Sequence, residues 1–380
     1  MKKKDKVKQT GSRIVFLTAL LTAGLISACG SQSDETSQDE EESAETEETI
    51  EVETEEAEET EEVVEEEAEE ETQVETEDET LSYDGTEIRV GSLKGPTTMG
   101  IVNLMDASDN GESVGNYTFT MASEASEIVS LVSTGDLDIG MIPANLAATL
   151  YSKTEGGVCV IDINTLGVLY GVTADESISS IADLAGKTVL TTGQGATPEY
   201  ALNYLLEENG ITDCTLEFYS ESTEIAALLL EDPDQIAVLP QPFVTSAEMQ
   251  NEELRTVFSL TDEWDAVTQN GSMFLTGATV VSRDFLEEHE GAVQVFMAEH
   301  EDAANKALDD IDGTAQLVVD YGILDSVDIA RAALPECNIV CITGDEMQTA
   351  LSGYLEVLYE ADASSVGGAM PDEEFYYLGE

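Results

Sequence analysis

Along residues 86–145 the apolar positions change period in a regular order. Alternation over 87–91 predicts a short strand, and the loop 92–98 leads into a helical stripe at 99–105. A strand at 117–121, a helix at 124–133 and a strand at 137–142 ending in Pro143 follow. Strand, helix, strand, helix, strand implies parallel pairing in an α/β sheet. The order then recurs: strand 187–191, loop 192–196, helix from Thr197-Pro198, strand 215–219, helix 223–230, and strand 235–239 ending in Pro240. At an offset of 97 residues Glu127-Ile128 falls on Glu224-Ile225, Leu131 on Leu228, Ile139 on Ile236 and Pro143 on Pro240. A shared spacing of helix, strand and closing proline indicates a structural repeat, two similar α/β halves that face a cleft.

Upstream of residue 81 this pattern is missing. Six basic residues and one acid mark residues 1–28, where the basic head (Lys2, Lys3, Lys4, Lys6, Lys8, Arg13) precedes the apolar run 14–28. That run is shorter than the roughly 20 residues needed to cross a bilayer, so it is an export signal. It closes on Leu25-Ile26-Ser27-Ala28-Cys29-Gly30, which resembles the bacterial lipobox, with small residues before a cysteine that receives a two-chain lipid and becomes the mature N-terminus. Two acyl chains suffice for stable anchoring. Residues 30–80 then hold 27 acids and no Lys or Arg. Such a segment cannot bury enough apolar surface to order itself, and its like charges extend it, so residues 29–80 act as an acidic disordered tether.

Charge narrows the partners. The whole chain carries 14 Lys+Arg against 81 Asp+Glu, a net −67. Residues 81–380 keep eight basic residues against 53 acids, which argues against nucleic acid and bare anionic membrane as direct partners.

In open α/β sheets ligands bind beyond the carboxyl ends of the strands, where loops feed helix N-termini and free N–H groups converge. Four junctions qualify: 92–98, 143–145, 193–197 and 240–242. Ser92, Thr97, Thr98, Asn145, Gln194 and Gln241 offer neutral hydrogen bonds, and Gly193 and Ala196 allow close backbone approach. Thr197 reads as the N-cap before Pro198 at the first helical position. Phe243 or Tyr200 could supply a stacking face. Lys94 is one of the eight basic residues and sits in a candidate ligand loop, where it can pair with an anionic group or simply face solvent at a helix start.

The run 91–100 (GSLKGPTTMG), Pro-Ala-Asn-Leu-Ala-Ala at 143–148, Gly-Ala-Thr-Pro-Glu-Tyr-Ala at 195–201 and Pro-Gln-Pro-Phe-Val at 240–244 resemble substrate-binding lipoproteins of ABC importers. The branch is the nitrate/sulfonate/taurine and thiamine-precursor one. The resemblance covers 86–377 and implies a two-lobed type 2 periplasmic-binding-protein fold: 81–170 the first part of lobe I, 171–272 lobe II, and 273–380 the completion of lobe I with C-terminal helices. It implies a monomer on the outer face of the plasma membrane that captures a small polar or anionic solute and hands it to an ABC permease, with no cofactor. Many family members have Glu where this chain has Gln241, so ligand identity does not transfer through that position. A sensory receptor signalling to a membrane partner needs the same cleft and stays open as the second class.

The enzyme alternative lies inside the same superfamily, in pyrimidine-precursor synthases that use a His and a pyridoxal cofactor. His289 and His300 are the only histidines, and both read as exposed residues of the acidic helical stretch 285–304, away from the cleft, so no catalytic residues are assigned. Cys159, Cys214, Cys337 and Cys341 read as buried thiols and not as metal ligands. Residues 338–340 read as strand, which would separate the Cα atoms of Cys337 and Cys341 by roughly 13 Å, beyond the ~7 Å limit of a disulfide. A bridge from Cys159 or Cys214 to this pair stays open.

Overall fold

In the computed structural model, which describes residues 83–268 and 270–379, the repeated pattern becomes two open sheets. The export signal, Cys29 and the acidic tether lie outside the described residues. In chain order the first segment contains β1 (Glu87–Leu93), α1 (Pro96–Asp109), β2 (Asn116–Ala122), α2 (Ala125–Thr134), β3 (Ile139–Pro143), α3 (Ala144–Lys153) and β4 (Val158–Leu166). The second contains β5 (Leu169–Thr173), β6 (Thr188–Thr192), α4 (Thr197–Glu208), β7 (Thr215–Tyr219), α5 (Ser222–Glu231), β8 (Ile236–Pro240), α6 (Phe243–Gln250), β9 (Arg255–Ser259) and α7 (Leu260–Val267). The third contains β10 (Leu275–Ser282), α8 (Arg283–Glu288), α9 (Glu290–Asp309), α10 (Ile311–Asp320), α11 (Val327–Ala333), β11 (Ile339–Ile342) and α12 (Gly344–Ala361).

One sheet has the order β11-β4-β10-β3-β1-β2 and the other β7-β6-β8-β5-β9. The chain therefore leaves the first sheet after β4, builds the second, and returns at β10. The trios β2-β1-β3 and β7-β6-β8 are both parallel. In the first, Val90 pairs with Phe119 and Ile139; in the second, Val189 pairs with Leu216 and Ile236. α2 and α5, and β3 and β8, have bounds 97 residues apart, whereas Val90 and Val189 are 99 apart, so the second copy is two residues shorter between its first and second strands. α2 ends on Gly135 in the left-handed conformation, whose N–H bonds back to the last turn.

Burial follows the sheets. Ile88, Val90, Ile101, Ile161 and Phe296 pack one face of the first sheet under α1 and α9. Tyr170, Val172, Leu190, Ile225 and Leu229 fill one face of the second. A third cluster joins the two lobes, because Trp264 of α7 packs on Tyr204 of α4, on Phe274 in the return crossover and on Tyr354 of α12.

Candidate functional site

Each of the four junctions follows the carboxyl end of a parallel strand and opens a helix: β1 to α1, β3 to α3, β6 to α4, β8 to α6. The residue before each of the four helices makes no side-chain cap, and at α6 Gln241 Oε1 accepts from the first-turn Thr245 N at 3.4 Å, so α1, α3 and α4 keep first-turn N–H groups for a ligand. β1 and β3 are neighbours, as are β6 and β8, so each sheet brings its own two junctions to one edge.

The individual side chains divide into those tied up locally and those left free. Ser92 Oγ and Thr98 Oγ1 are hydrogen-bonded at 2.8 Å, and Thr98 also donates to the Leu93 carbonyl. With Thr97 also buried, this pair closes the β1–α1 loop on itself. Gln241 is buried, and its Oε1 accepts from Thr245 Oγ1 at 2.8 Å, so its side chain holds the start of α6. Gln194 is exposed at the tip of the β6–α4 loop between Gly193 and Gly195, both at positive φ. A Cβ on Gly193 would sit 2.8 Å from the Pro198 ring as well as adopting a strained backbone. Thr197 does not cap α4: Ala196 occupies the cap in an extended conformation and Thr197 is the first helical residue.

A segment that the sequence left without a role ties the lobes together. Asn145 Nδ2 donates to the Ser365 carbonyl at 3.3 Å, and Tyr200 of α4 bonds the Asp362 carboxylate at 3.1 Å. Residues 362–365 thus bring the β3–α3 and β6–α4 junctions into one neighbourhood. Burial and the Asp362 carboxylate raise the Tyr200 phenol above its usual pKa. The local signal was Asp362 itself, whose side chain accepts from Ser364 N as a helix cap. Where the chain crosses from the first sheet to the second, Asn338 Nδ2 donates to the Gly167 carbonyl between β4 and β5, and Tyr170 donates to the Glu336 carbonyl at 2.7 Å.

Five of the eight basic residues of this region are engaged. Arg89 pairs with Asp138, Lys187 with Asp175, and Arg331 with Asp312 and Asp328, while Arg255 and Arg283 donate to backbone carbonyls. Among the described residues Lys94, Lys153 and Lys306 make no ion pair, and of these only Lys94, which is exposed, stands at a strand-to-helix junction.

The histidines are not exposed. His289 is half-buried at the α8–α9 junction, its ring 5.1 Å from that of Phe285, and His300 is fully buried with Nδ1 3.1 Å from Asp162 Oδ2. The inward stripe of α9 runs through Val293, Phe296, His300 and Ala304, so helical period overrides the acidic neighbours. Neither histidine stands at the four junctions. All four cysteines among the described residues are free, and β11 begins only at Ile339 because Asn338 adopts a left-handed conformation.

A cavity of about 210 Å³ lies at the start of α6, between Pro242, Phe243 and Ser246 of the second lobe and Leu324, Asp325 and Ser326 of the first. A larger one of about 620 Å³ lies between α12 and the C-terminal tail. Glu356, Asp372 and Glu373 border the larger cavity, which makes it a poor anion site, and no junction residue lines it. The junctions remain the candidate solute site.

A family model described as NMT1/THI5 like matches residues 118–312. Among solved structures, an ABC transporter from Parabacteroides distasonis is 21% identical with a TM-score of 0.66, over 77% of this chain and 99% of the other. The periplasmic aliphatic sulphonate binding protein SsuA from Escherichia coli is 14% identical with a TM-score of 0.59, over 73% and 88%. The alkanesulfonate-binding protein SsuA from Xanthomonas axonopodis pv. citri, bound to MOPS, is 14% identical with a TM-score of 0.53, over 75% and 94%. At these identities the likeness shows the fold, that of a periplasmic binding protein. No curated protein matches the chain.

Proposed function

The chain belongs to the NMT1/THI5-like family, and from that premise we propose that it is an extracytoplasmic solute-binding lipoprotein. It captures a small polar or anionic solute between lobe I (81–170 and 273–380) and lobe II (171–272) and presents it to an ABC import permease. The observation that carries this reading is the presence of helix starts without a side-chain cap on both lobes, α1 and α3 on one and α4 on the other, together with Lys94, which is exposed at the α1 start without an ion pair among the described residues. Lipidation of Cys29 and the tether 29–80 hold the domain at the outer face of the membrane while leaving it reach.

The sulphonate ligands named for two proteins of the same fold suit this site's chemistry. Helix N-termini and a lysine both favour an oxyanion. Net charge opposes it at range, since eight basic residues face 53 acids over 81–380. Screening within about 8–10 Å at physiological salt confines that repulsion and leaves the local site to decide.

A thermal-shift screen of sulfonates, nitrate, pyrimidines and amino acids, followed by calorimetry on the best hit, tests the reading. An oxyanion ligand whose affinity falls about ten-fold or more in Lys94→Ala, equivalent to about 1.4 kcal/mol, is the expected result. Unchanged affinity in Lys94→Ala removes the pairing role, and no stabilisation by any solute removes the receptor. For the anchor, Cys29→Ser is expected to release the protein from the membrane fraction of its expressing cells; retention there would exclude the lipid attachment.

A further inference from the structure

Asp162, His300 and Cys341 come from three elements, β4, α9 and β11, and converge inside lobe I away from the four junctions. Their donor atoms lie within 4.8 Å of one another. We propose that these three residues bind a divalent metal ion of the zinc class.

Each group is held in place independently. A register shift in β4 sets Asp162 opposite Thr279, whose Oγ1 donates to Asp162 Oδ1 at 2.6 Å and leaves Oδ2 toward the cluster. The His300 ring stacks on Phe296 one turn earlier, with centroids 5.5 Å apart and planes at 26°. Its Nδ1 is 3.1 Å from Asp162 Oδ2 and 3.7 Å from Cys341 Sγ. In a tetrahedral zinc shell, neighbouring N and O ligands are about 3.3 Å apart and N and S about 3.6 Å. One imidazole, one carboxylate and one thiolate form a donor set that suits zinc or cobalt and not magnesium or calcium. Cys341 is only half-buried on its edge strand, so that side admits the ion and a solvent ligand.

Charge balance supplies a separate argument. Asp162 is fully buried, and among the described residues no Lys or Arg bonds it. A divalent ion held by one aspartate carboxylate, one cysteine thiolate and one neutral imidazole forms a neutral set, the thiol proton passing to solvent on binding. Such an ion would fasten the edge strand β11 to β4 and α9.

The full chain, stripped by a chelator under reducing conditions, is titrated with Co²⁺ and then Zn²⁺. The expected result is one Co²⁺ per chain with a thiolate charge-transfer band and the intense visible bands of a tetrahedral ion, displaced by Zn²⁺ with a rise in melting temperature. Cys341→Ser loses the charge-transfer band, and Cys337→Ser, buried nearby but outside the cluster, keeps it. A wild-type chain without the band, or a band that survives Cys341→Ser, overturns the proposal. Should Cys341→Ser not fold, alkylation of the wild type decides: Zn²⁺ is expected to slow modification of Cys341 but not of Cys214, and equal rates with and without Zn²⁺ overturn the site.

Discussion

Trp264 is the chain's single tryptophan, and its removal separates a packing account of lobe attachment from a hydrogen-bonding one. The ring is fully buried, with centroids 4.7 Å from Tyr204, 5.5 Å from Phe274 and 5.7 Å from Tyr354, and its Nε1 donates to Ser272 Oγ at 3.1 Å. Burying an indole removes about 200 Å² from water, worth about 5 kcal/mol at 25 cal/mol per Å², and measured Trp→Ala costs fall at about 3–5 kcal/mol. Trp264→Phe keeps most of the aromatic packing and loses the bond to buried Ser272, for about 1–2 kcal/mol. Urea unfolding followed by far-ultraviolet circular dichroism reads both as shifts in midpoint. The expected order is Trp264→Ala well below Trp264→Phe, itself below wild type. Equal midpoints for the two variants, or a Trp264→Ala cost under about 1 kcal/mol, would refute the claim that aromatic packing joins α7, the return crossover and α12.

Gly91→Val tests the tight face of β1, where even a Cβ would come within 2.4 Å of Leu137 and 2.9 Å of Ile128; overpacking of about 1–3 kcal/mol should lower the urea midpoint, and an unchanged midpoint would show that α2 yields freely. Alkaline stability tests thiol burial, which pushes Cys159 up to about 11 and Cys337 up to about 12 from a usual value of 9.0. A folded pKa above the unfolded one gives stability that is complete below about pH 9 and lost as pH rises toward 11–12, by up to about 1.4 kcal/mol per pH unit and thiol. The double variant Cys159→Ala, Cys337→Ala should flatten that limb of a pH-dependent denaturation series, and an unaltered slope would assign it wholly to the tyrosines.

How much was legible depended on where each residue's partners lie in the chain. The trio β1, β2, β3 and its copy were readable because each strand meets neighbours separated only by one helix, so local periodicity and pairing agree. β10 and β11 gave no such signal. Both pair antiparallel with β4, more than a hundred residues earlier, and nothing local in LTGATVVS or IVCI states that partner. The site shows the same division. Lys94 stood out by scarcity and by its place in a junction loop, and among the described residues it makes no ion pair. Ser92, Thr98 and Gln241 carry the right chemistry at the right junctions, yet their polar atoms bind Leu93, Thr245 and each other, because composition shows a donor but not where it is directed.

His300 reveals the physical reason for the largest miss. Glu299, Glu301 and Asp302 surround it in sequence and make the helix look solvated, while residues 293, 296, 300 and 304 define the face that meets β4. A 20-residue helix can carry a charged outer face and still bury one polar residue, provided a partner waits opposite. Here that partner is Asp162, itself concealed with Asn164 and Thr165 in the buried run Val158–Leu166. Two buried polar residues on distant elements are each anomalous alone and mutually explanatory only in three dimensions. They lie within the structural core of lobe I, whereas the groups assigned to the solute lie at strand ends. Loss of one site should therefore leave the other intact, and a metal-dependent melting shift that persists in Lys94→Ala would separate the two experimentally.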